Sequence, residues 1–544
     1  MKKNISTFPL LIGLFFVILY AAFPTKMHFI DGLLYSWNLE NLETKYMLHP
    51  HHPLWLPVMH IIYNVVRSFF PDLQAIAFLS FVNAMLGGGL VYLFIRILQR
   101  FIQSSVIPIL TGLFLGFSWG MMTYCADANI YILVFVLLSG STIVLFNEEK
   151  LSLKNSLYAT GLVIISSLMH QMAFLFTVPV LIAILICRGK SHLFRNAGIC
   201  TMVYAFCVIV INYIVYIFAR PLVDDSITST FLTWLTTFGG NAEWWTIGSR
   251  GLTNAASIFL YTQVNLFIHT PDSALNQLFK LYEQNYVLPA YIIPHLIIVM
   301  SLLWEIVSLI KNREDSCKTR TVRIFLLSWI IPYFIFLHFY SALSTHFKLF
   351  YFIPLMMLWA MQLNRLSDKF RGMVIPVCWV VLVIFAGWNI STGLVPNSYP
   401  ERNPSLKQAL IIADKVNEND LIIFSAQENY TAVVTRYYTD ADAVPLRSTP
   451  PILSQTESGF LDIDRRTVEF LNDRYNRIFL SEKACGIKPR NLYFSGYFFK
   501  PPHPWELGFH PSSIKIINEI PLKNGESLYQ VELTPSMRFR ENAE

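Results

Sequence analysis

Apolar runs long enough to cross a bilayer recur along the first three quarters of this chain, and no other feature of the sequence restricts the fold as strongly. A transmembrane α-helix needs about 20 predominantly apolar residues. Charged residues make up only 14% of the 544 residues, whereas soluble domains carry about a quarter. We therefore predict a polytopic α-helical membrane protein. Its spans number about eleven and cover residues 8–24, 73–99, 105–124, 129–147, 156–169, 171–187, 197–218, 286–310, 322–340, 349–366 and 373–394.

The charges of the connections predict the orientation. Lys2 and Lys3 precede the first run, and alternate connections after it are rich in Lys and Arg. Because basic loops stay in the cytoplasm, the N-terminus is expected there, and eleven spans then place the C-terminal region outside. The first run lacks a convincing cleavage site, which favours an uncleaved span over a signal peptide. The expected location is a bacterial inner membrane.

The composition changes after Pro396. Buried-strand patterns at 420–424 and 477–480, an alternating edge strand at 527–533 and helix-like segments near 430–438 and 464–475 predict a small α/β domain. We divide the chain into a membrane domain, 1–395, and an extracytoplasmic α/β domain, 396–544. The second shows no glycine-rich nucleotide motif and no nucleophile elbow, so a supporting or acceptor-recognition role is expected.

Two other classes of function are disfavoured by composition. The net charge of +6 comes mainly from short loops that set topology, and no nucleic-acid partner is predicted. The seven cysteines are scattered and form no CxxC pair, which indicates neither a zinc site nor a disulfide framework.

Two carboxylates are the candidate catalytic groups. Asp31 follows the first span, where a general base could meet an acceptor hydroxyl or amine; the alternatives are a helix cap or a solvated loop residue. Asp127 lies in a short turn that the topology puts on the same side of the membrane. It is expected to share base and substrate-orienting roles with Asp31, and its alternative is again a helix cap.

Three histidines, His49, His51 and His52, alternate with prolines before a predicted interfacial helix over residues 52–67. With Asp31 they offer four ligands that zinc accepts. The prolines are expected to hold the segment extended, so that adjacent histidines point apart. Substrate binding is therefore preferred; no metal site or cofactor is predicted, and a divalent cation is the alternative.

His170, Lys348 and Tyr351 complete the candidate set. His170 lies between two apolar half-spans, where an ionisable side chain either has a function or satisfies free backbone groups. Residues 156–187 form either one long helix or two short ones that meet there, and the charge alternation favours two. Lys348 is a cation at the outer end of a span, suited to a phosphate, or else it snorkels to the interface.

Together these features resemble the GT-C superfamily of membrane glycosyltransferases, in particular its family 39-like members. The resemblance covers most of the membrane domain. It consists of an acidic residue in the first outer loop, a His-Pro segment that leads into an interfacial helix, an acidic-x-x-x-Tyr turn, a His near a short span and a cation before Tyr-x-x-Pro. Those residues are Asp31, 49–55, Asp127 with Tyr131, His170, and Lys348 with Tyr351 and Pro354.

The resemblance implies an inverting hexosyl- or pentosyltransferase. The donor would be a polyprenyl-phosphate sugar that enters from the membrane lipids, and the acceptor a glycan, a lipid or a protein. Asp31 would deprotonate the acceptor, and Lys348 would stabilise the departing lipid phosphate, joined by His170 or a histidine of 49–52. The family often has an acidic pair in the first loop. Gly32 follows Asp31 here, so Glu40, Glu43 and Asp127 compete as the second carboxylate.

Two other functions are weighed against this one. A glycan polymerase, ligase or phosphoryl-group transferase would use the same outer face. A lipid-linked glycan flippase would place ionisable residues within the spans and show repeated halves. Neither feature stands out in the sequence.

Overall fold

The protein is described from a computed structural model. The described residues are 7–41, 48–147, 151–186, 193–220, 230–232, 263–270, 289–311, 317–339, 345–370, 372–424, 428–439, 441–448, 471, 473–481, 492–494, 514–522 and 527–533. The chain divides into two compact units. The membrane unit contains Met1–Thr25 and Asn38–Ser398, and the C-terminal unit contains Lys26–Trp37 and Tyr399–Glu544.

Helices make up the described part of the chain before residue 399, apart from short connections. In chain order they are α1 (Phe8–Ala22), α2 (Ile30–Asn41), α3 (Trp55–Arg67), α4 (Ala75–Phe101), α5 (Val106–Phe117), α6 (Trp119–Cys125), α7 (Tyr131–Leu145), α8 (Leu153–Met169), a 3-10 helix (Gln171–Phe176), α9 (Thr177–Ile186), α10 (Leu193–Ala219), α11 (Pro289–Lys311), α12 (Cys317–Phe339), α13 (Thr345–Lys369), α14 (Val374–Asn389), a π-helical turn (Ile390–Leu394) and α15 (Val395–Asn397).

Five of the described helices are long and apolar enough to cross a membrane. They are Ala75–Phe101, Leu193–Ala219, Ile293–Lys311, Thr319–Leu337 and Val374–Asn397. Val106–Phe117 and Trp119–Cys125, bent by 62°, make a sixth if they form one span, and Phe8–Ala22, Tyr131–Leu145 and Gln171–Ile186 are shorter apolar helices. The multi-pass helical architecture is thus confirmed, while the count of about eleven spans stays a prediction.

Small residues let the first helices approach closely. A Cβ atom added to Gly88 of α4 would lie 2.4 Å from the backbone oxygen of Gly13 in α1, and one added to Gly116 of α5 would lie 2.3 Å from the ring of Phe16. The hydroxyl of Tyr20 donates to the Gly116 carbonyl at 2.6 Å. Close backbone approach of this kind is how membrane helices gain van der Waals contact without a hydrophobic driving force.

A buried ionic network joins α11, α12 and α13. Glu305 is fully buried and accepts hydrogen bonds from Arg323 and, at 2.5 Å, from Nη2 of Arg365. Gln362 donates its amide to the same carboxylate at 3.2 Å, and Ser308 accepts from Arg365 at 2.9 Å. Because a buried charge is costly unless it is paired and hydrogen-bonded, this network fixes how the three helices meet.

The helix predicted over residues 52–67 is present as α3. Trp55, Met59 and Tyr63 are buried on one side, whereas Ile61 and Val65 are 65% and 57% exposed. An apolar stripe left exposed on a short helix suits the interface between lipid and water. The chain also breaks at His170, where α8 ends and the 3-10 helix begins, so the choice of two segments for residues 156–187 is confirmed.

The C-terminal unit contains a six-stranded mixed sheet, which confirms an α/β fold there. After a 3-10 turn (Pro400–Arg402) and α16 (Pro404–Ala413), its elements are β1 (Asp420–Phe424), α17 (Asn429–Tyr438), β2 (Asp442–Ser448), β3 (Arg477–Ser481), β4 (Leu492–Phe494), β5 (Ile514–Pro521) and β6 (Ser527–Leu533). The strand order is β4-β2-β1-β3-β6-β5. β1 pairs in parallel with β2 and β3, and the other pairs are antiparallel.

The parallel centre of this sheet follows from its sequence. β1 is buried along its whole length, which is the pattern of a strand covered on both faces. Ile422, Phe424 and Phe479 pack in one core cluster with Ile412 of α16. Arg477 donates to both carboxylate oxygens of Asp420, at 3.0 and 2.5 Å, and so joins β1 to β3. The helix predicted over 464–475 lies mostly outside the described residues.

Candidate functional site

The segment His49–Trp55 folds into two successive turns. The amide of His52 donates to the carbonyl of His49 at 3.1 Å, and the amide of Trp55 donates to the carbonyl of His52 at 3.3 Å. Pro50 and Pro53 each occupy the second position of a turn, where the fixed φ of proline is favourable. The extended conformation predicted for this segment is therefore wrong.

The turns bring the histidines together instead of pointing them apart. The rings of His49 and His52 stack with centroids 4.4 Å apart, and the rings of His49 and His51 lie 4.8 Å apart. His49 Nδ1 also accepts from the amide of His51 at 3.1 Å. Residues three apart eclipse one another in tight turns, which explains the stacking.

Burial keeps the three imidazoles neutral. It lowers the pKa of His51 to about 4 and, together with the nearby His51 ring, the pKa of His52 to about 3. The pKa of His49 also falls well below its usual value, chiefly through burial and then through His52, His51 and His170. A neutral imidazole has one N–H donor and one nitrogen acceptor, so these rings suit hydrogen bonding to uncharged groups.

His170 lies against this turn. Its backbone is extended between α8 and the 3-10 helix, and its Nδ1 accepts from the Met172 amide at 3.2 Å. The amide of Gln171 donates to the carbonyl of His51 at 2.7 Å, and the amide of Leu54 donates to that of Leu168 at 3.1 Å. The helix break at His170 therefore holds the histidine turn in place. His170 itself satisfies a free backbone amide there, which is the alternative role considered for it.

Two further aromatic residues complete a cluster of rings around His170. Tyr131, at the start of α7, stacks on His346 with a centroid distance of 4.5 Å and lies 5.2 Å from His170. His346, in the first turn of α13, also lies 4.2 Å from Phe347. The candidate set omitted both Tyr131 and His346. Their sequence signals were the acidic-x-x-x-Tyr spacing and the position of His346 beside Lys348.

Asp127 lies four residues before Tyr131 and is fully buried. Its Oδ1 accepts from the amide of Ala128 at 2.8 Å. Its backbone carbonyl accepts from the side-chain amide of Asn83 in α4 at 2.7 Å. The carboxylate thus stands in a turn whose backbone is anchored to a neighbouring helix. It does not cap α7, because the N-cap position of this helix is Ile130. Asn129, next to that position, accepts from the amide of Tyr131 at 3.0 Å.

Lys348, two residues after His346 in α13, is fully buried. Electrostatic interactions join it to His346 and to His295 of α11. Nδ1 of His295 is 3.1 Å from Oε1 of Gln263, whose side chain is fully buried. A solvent-exposed, snorkelling ammonium is thus ruled out in this structure, and the predicted cation lies in the protein interior.

Tyr351 is the next residue on the same face of α13. Its hydroxyl is buried and has no hydrogen-bond partner among the described residues, and the same holds for the side-chain nitrogen of Gln263. Phe334 packs between Tyr351 and His295, since the centroid of its ring is 5.3 Å from that of Tyr351 and 5.5 Å from that of His295. Neither Gln263 nor His295 was a candidate from sequence, because nothing in the short-range pattern relates them to Lys348.

Asp31 lies in the first turn of α2 and is exposed. Residues Lys26–Trp37 belong to the C-terminal unit, whereas the other candidate residues belong to the membrane unit. The grouping of Asp31 with them stays a prediction. Of the competing carboxylates, Glu40 accepts from the amide of Ala75 at 2.6 Å at the start of α4, and Glu43 lies outside the described residues.

No set of three or more His, Cys, Asp or Glu side chains among the described residues is arranged to hold a metal ion. The stacked geometry of His49 and His52 agrees with this, because ring faces rather than nitrogen atoms meet. A role for a divalent cation remains untested.

No family model matches this chain, and no curated protein matches its sequence. Among solved structures, the chain is similar to the crystal structure of ArnT from Cupriavidus metallidurans in the apo state. The similarity covers 93% of this chain and 98% of that one, with 11% sequence identity and a TM-score of 0.42. At that level it assigns neither a substrate nor the role of any residue.

Proposed function

We propose that this protein is an integral membrane glycosyltransferase. It transfers a sugar from a polyprenyl-phosphate donor to an extracytoplasmic acceptor, and the phosphate of the donor binds beside Lys348. The proposal combines the GT-C resemblance of the sequence with the polar groups that the membrane unit buries around Lys348.

The observation that carries the proposal is a buried ammonium in the same region as two buried donors that have no hydrogen-bond partner in the described part of the chain. Lys348 is fully buried, and neither the hydroxyl of Tyr351 nor the side-chain nitrogen of Gln263 has a hydrogen-bond partner among the described residues. Nearly all buried polar groups in proteins are hydrogen-bonded. A cation and two donors complement an anion with several acceptor oxygens, and a phosphate is such an anion.

The surroundings of Lys348 favour a lipid phosphate over a soluble one. Lys348 and Tyr351 lie in α13, a helix with a long buried apolar segment, and an aromatic ring, Phe334, packs against Tyr351. An anion buried among such residues is unfavourable unless it is attached to a group that itself prefers the bilayer. A polyprenyl chain satisfies that condition, whereas inorganic phosphate does not.

We assign the steps of the reaction to the remaining candidate groups. An acceptor oxygen or nitrogen attacks the anomeric carbon, the bond from that carbon to the phosphate oxygen breaks, and the configuration inverts. The proton of the acceptor passes to Asp31, the proposed general base. Lys348 stabilises the negative charge that develops on the departing polyprenyl phosphate. Asp127 is the proposed second carboxylate, which orients the substrate.

The neutral histidines supply the binding surface for the sugar. Hydroxyl groups both donate and accept hydrogen bonds, and a neutral imidazole does the same. The pKa values of His51 and His52, lowered to about 4 and about 3, keep these rings uncharged at neutral pH. They would therefore bind a sugar without attracting anions away from Lys348.

The decisive experiment measures binding of a synthetic polyprenyl phosphate to the purified protein by native mass spectrometry. Wild-type protein should retain the lipid, and Lys348→Met should weaken its affinity at least about 30-fold, as expected when one member of a buried charge pair is removed. Lys369→Met is the matched control, since Lys369 is an exposed residue at the other end of α13. Equal affinity for polyprenyl phosphate and for polyprenol would refute a phosphate site.

Transfer is tested with polyprenyl-phosphate sugars as donors. Asp31→Asn should abolish product formation while the affinity for polyprenyl phosphate is unchanged, because the amide cannot accept the proton. Transfer at the wild-type rate by this variant would contradict the role of general base.

A further inference from the structure

An asparagine in the middle of an apolar helix anchors the Asp127 turn. Asn83 lies in α4 and is fully buried. Its side-chain nitrogen donates to two backbone carbonyls of the turn, those of Asp127 at 2.7 Å and Asn129 at 2.8 Å. Both N–H groups of one amide are thus used on residues more than forty positions away in the chain.

A second amide holds the same turn from within. The side-chain nitrogen of Asn129 donates to the carbonyls of Tyr124 and Asp127, and its oxygen accepts from the amide of Tyr131. The turn between α6 and α7 is therefore clamped from both sides by side-chain amides. The orientation of each peptide plane, and with it the direction in which the Asp127 side chain leaves the backbone, is set by these bonds.

Such an amide is costly where Asn83 stands. Burying a side-chain amide is unfavourable unless it is hydrogen-bonded, and polar groups within membrane helices usually have a function. The nitrogen of Asn83 is satisfied by the turn, yet its oxygen has no partner among the described residues. An apolar residue at position 83 would pack within α4 without a buried polar group, but it could not hold the Asp127 turn.

We propose that Asn83 is a positioning residue for the transfer reaction: it fixes the turn that presents Asp127 to the substrate and Tyr131 to the ring cluster. The inference rests on the proposed function, because it gives Asn83 a purpose only if Asp127 orients a substrate. It assigns no direct contact between Asn83 and either substrate.

The test replaces Asn83 by leucine, which has a similar size and no hydrogen-bonding group. We expect kcat to fall about 10- to 100-fold, since small displacements of catalytic groups have effects of this size, while KM for the donor changes less than about 2-fold, because Lys348 and Tyr351 are not part of the turn. A purely structural role would instead lower the yield and thermal stability of the protein without this separation of kcat from KM.

Asn212→Leu is the matched control. Asn212 is also a buried asparagine in a long apolar helix, α10, and its oxygen likewise has no partner among the described residues. Its nitrogen donates within its own helix, to the carbonyl of Val208 at 2.8 Å. Transfer should be unaffected by this change. An equal loss of kcat in both variants would overturn the inference.

A double mutant and a second variant make the result decisive. If Asn83 acts through Asp127, then Asn83→Leu combined with Asp127→Asn should be no slower than Asp127→Asn alone, because the two effects are not additive. Additive losses would overturn the inference. If Asn83→Leu fails to fold, Asn83→Gln keeps the amide but moves it by one methylene. It should lower kcat with an unchanged KM, and a wild-type kcat would overturn the inference.

The outcomes also separate the inference from the function on which it rests. Absence of transfer by the wild-type protein from any polyprenyl-phosphate sugar refutes the proposed function. Transfer that is lost in Asp127→Asn and retained at the wild-type kcat in Asn83→Leu refutes only the role of Asn83.

Discussion

The two ends of α13 both contain buried polar groups, but they differ in whether those groups have hydrogen-bond partners in the described part of the chain. Near its C-terminal end, Arg365 and Gln362 bond to Glu305, which also binds Arg323. Near its N-terminal end, Lys348 and Tyr351 are as deeply buried, but the Tyr351 hydroxyl and the nearby amide nitrogen of Gln263 have no acceptor among the described residues. The same helix therefore takes part in one completed polar network, and its other end lies near two donors that have no partner in the described part of the chain.

The difference separates a structural role from a binding role. A network in which the donors and acceptors match stabilises the packing of α11, α12 and α13 and needs no other molecule. A buried set with excess donors is less stable on its own, and it gains free energy when an anion binds. Polar groups that are costly to bury without partners are therefore the better guide to a ligand site.

The largest expected effect on stability is at the C-terminal end of α13, where the Glu305 network lies. Glu305→Gln should lower the free energy of unfolding by about 3 to 5 kcal/mol, because it leaves Arg323 buried without its carboxylate. Thermal unfolding in detergent measures this. Glu532→Gln is the control, since Glu532 forms an exposed ion pair with Lys515 and such pairs contribute little. A wild-type melting temperature for Glu305→Gln would erase the distinction between the two ends.

A smaller effect is expected when either of two buried tyrosines is replaced by phenylalanine, and the two replacements should change stability and lipid affinity in opposite ways. Tyr351→Phe removes a hydroxyl that has no partner among the residues the structure describes. The stability of the ligand-free protein should therefore stay the same or rise, while the affinity for polyprenyl phosphate falls about 10-fold. Tyr20→Phe removes the bond to the Gly116 carbonyl, so it should cost about 1 kcal/mol of stability and leave affinity unchanged. If Tyr351→Phe were the less stable of the two, the hydroxyl would have a structural role.

The smallest effect concerns pH. The folded protein keeps His51 and His52 neutral down to pH of about 4 and about 3, whereas the unfolded chain takes up protons near its ordinary value of 6.5. The stabilising contribution is complete above pH 6.5 and is lost progressively as pH falls from 6.5 toward 3.

Melting temperatures between pH 7.5 and pH 4.5 test this dependence. The decrease below pH 6.5 should be shallower in a His51→Gln, His52→Gln variant than in the wild type. Asn64→Gln should leave the slope unchanged, since it alters an exposed polar side chain of α3 and removes no ionisable group. An identical slope in all three proteins would show that the histidine turn does not titrate as its burial requires.

Much of the fold was predictable from the sequence because it depends on local properties. The length of an apolar run decides whether a helix can cross a bilayer, and the break at His170 followed from charges on both sides of residues 156–187. In the C-terminal unit, continuous apolar residues predicted β1 and β3, and alternation predicted β6. β2, β4 and β5 were missed, since Asp442–Ser448 and Ile514–Pro521 mix polar and apolar residues without a clear period.

The conformation of residues 49–55 was missed for a different reason. Proline restricts φ but is compatible with both extended chain and the second position of a turn. The choice between them depends on the bonds from Gln171 to His51 and from Leu54 to Leu168, which join distant parts of the chain.

The sequence by itself determined which residue types are available to the site: two carboxylates, a histidine-rich loop, a lone histidine and a cation followed by a tyrosine. Only the tertiary structure decided which of them meet, and which other residues join them. His295 interacts electrostatically with Lys348 and contacts Gln263, and Asn83 anchors the Asp127 turn, through interactions between residues far apart in the chain. The physical reason is that burial and hydrogen-bond satisfaction are properties of packing. A buried donor with no partner in the described part of the chain, the strongest sign of a ligand site here, exists only once the helices have assembled.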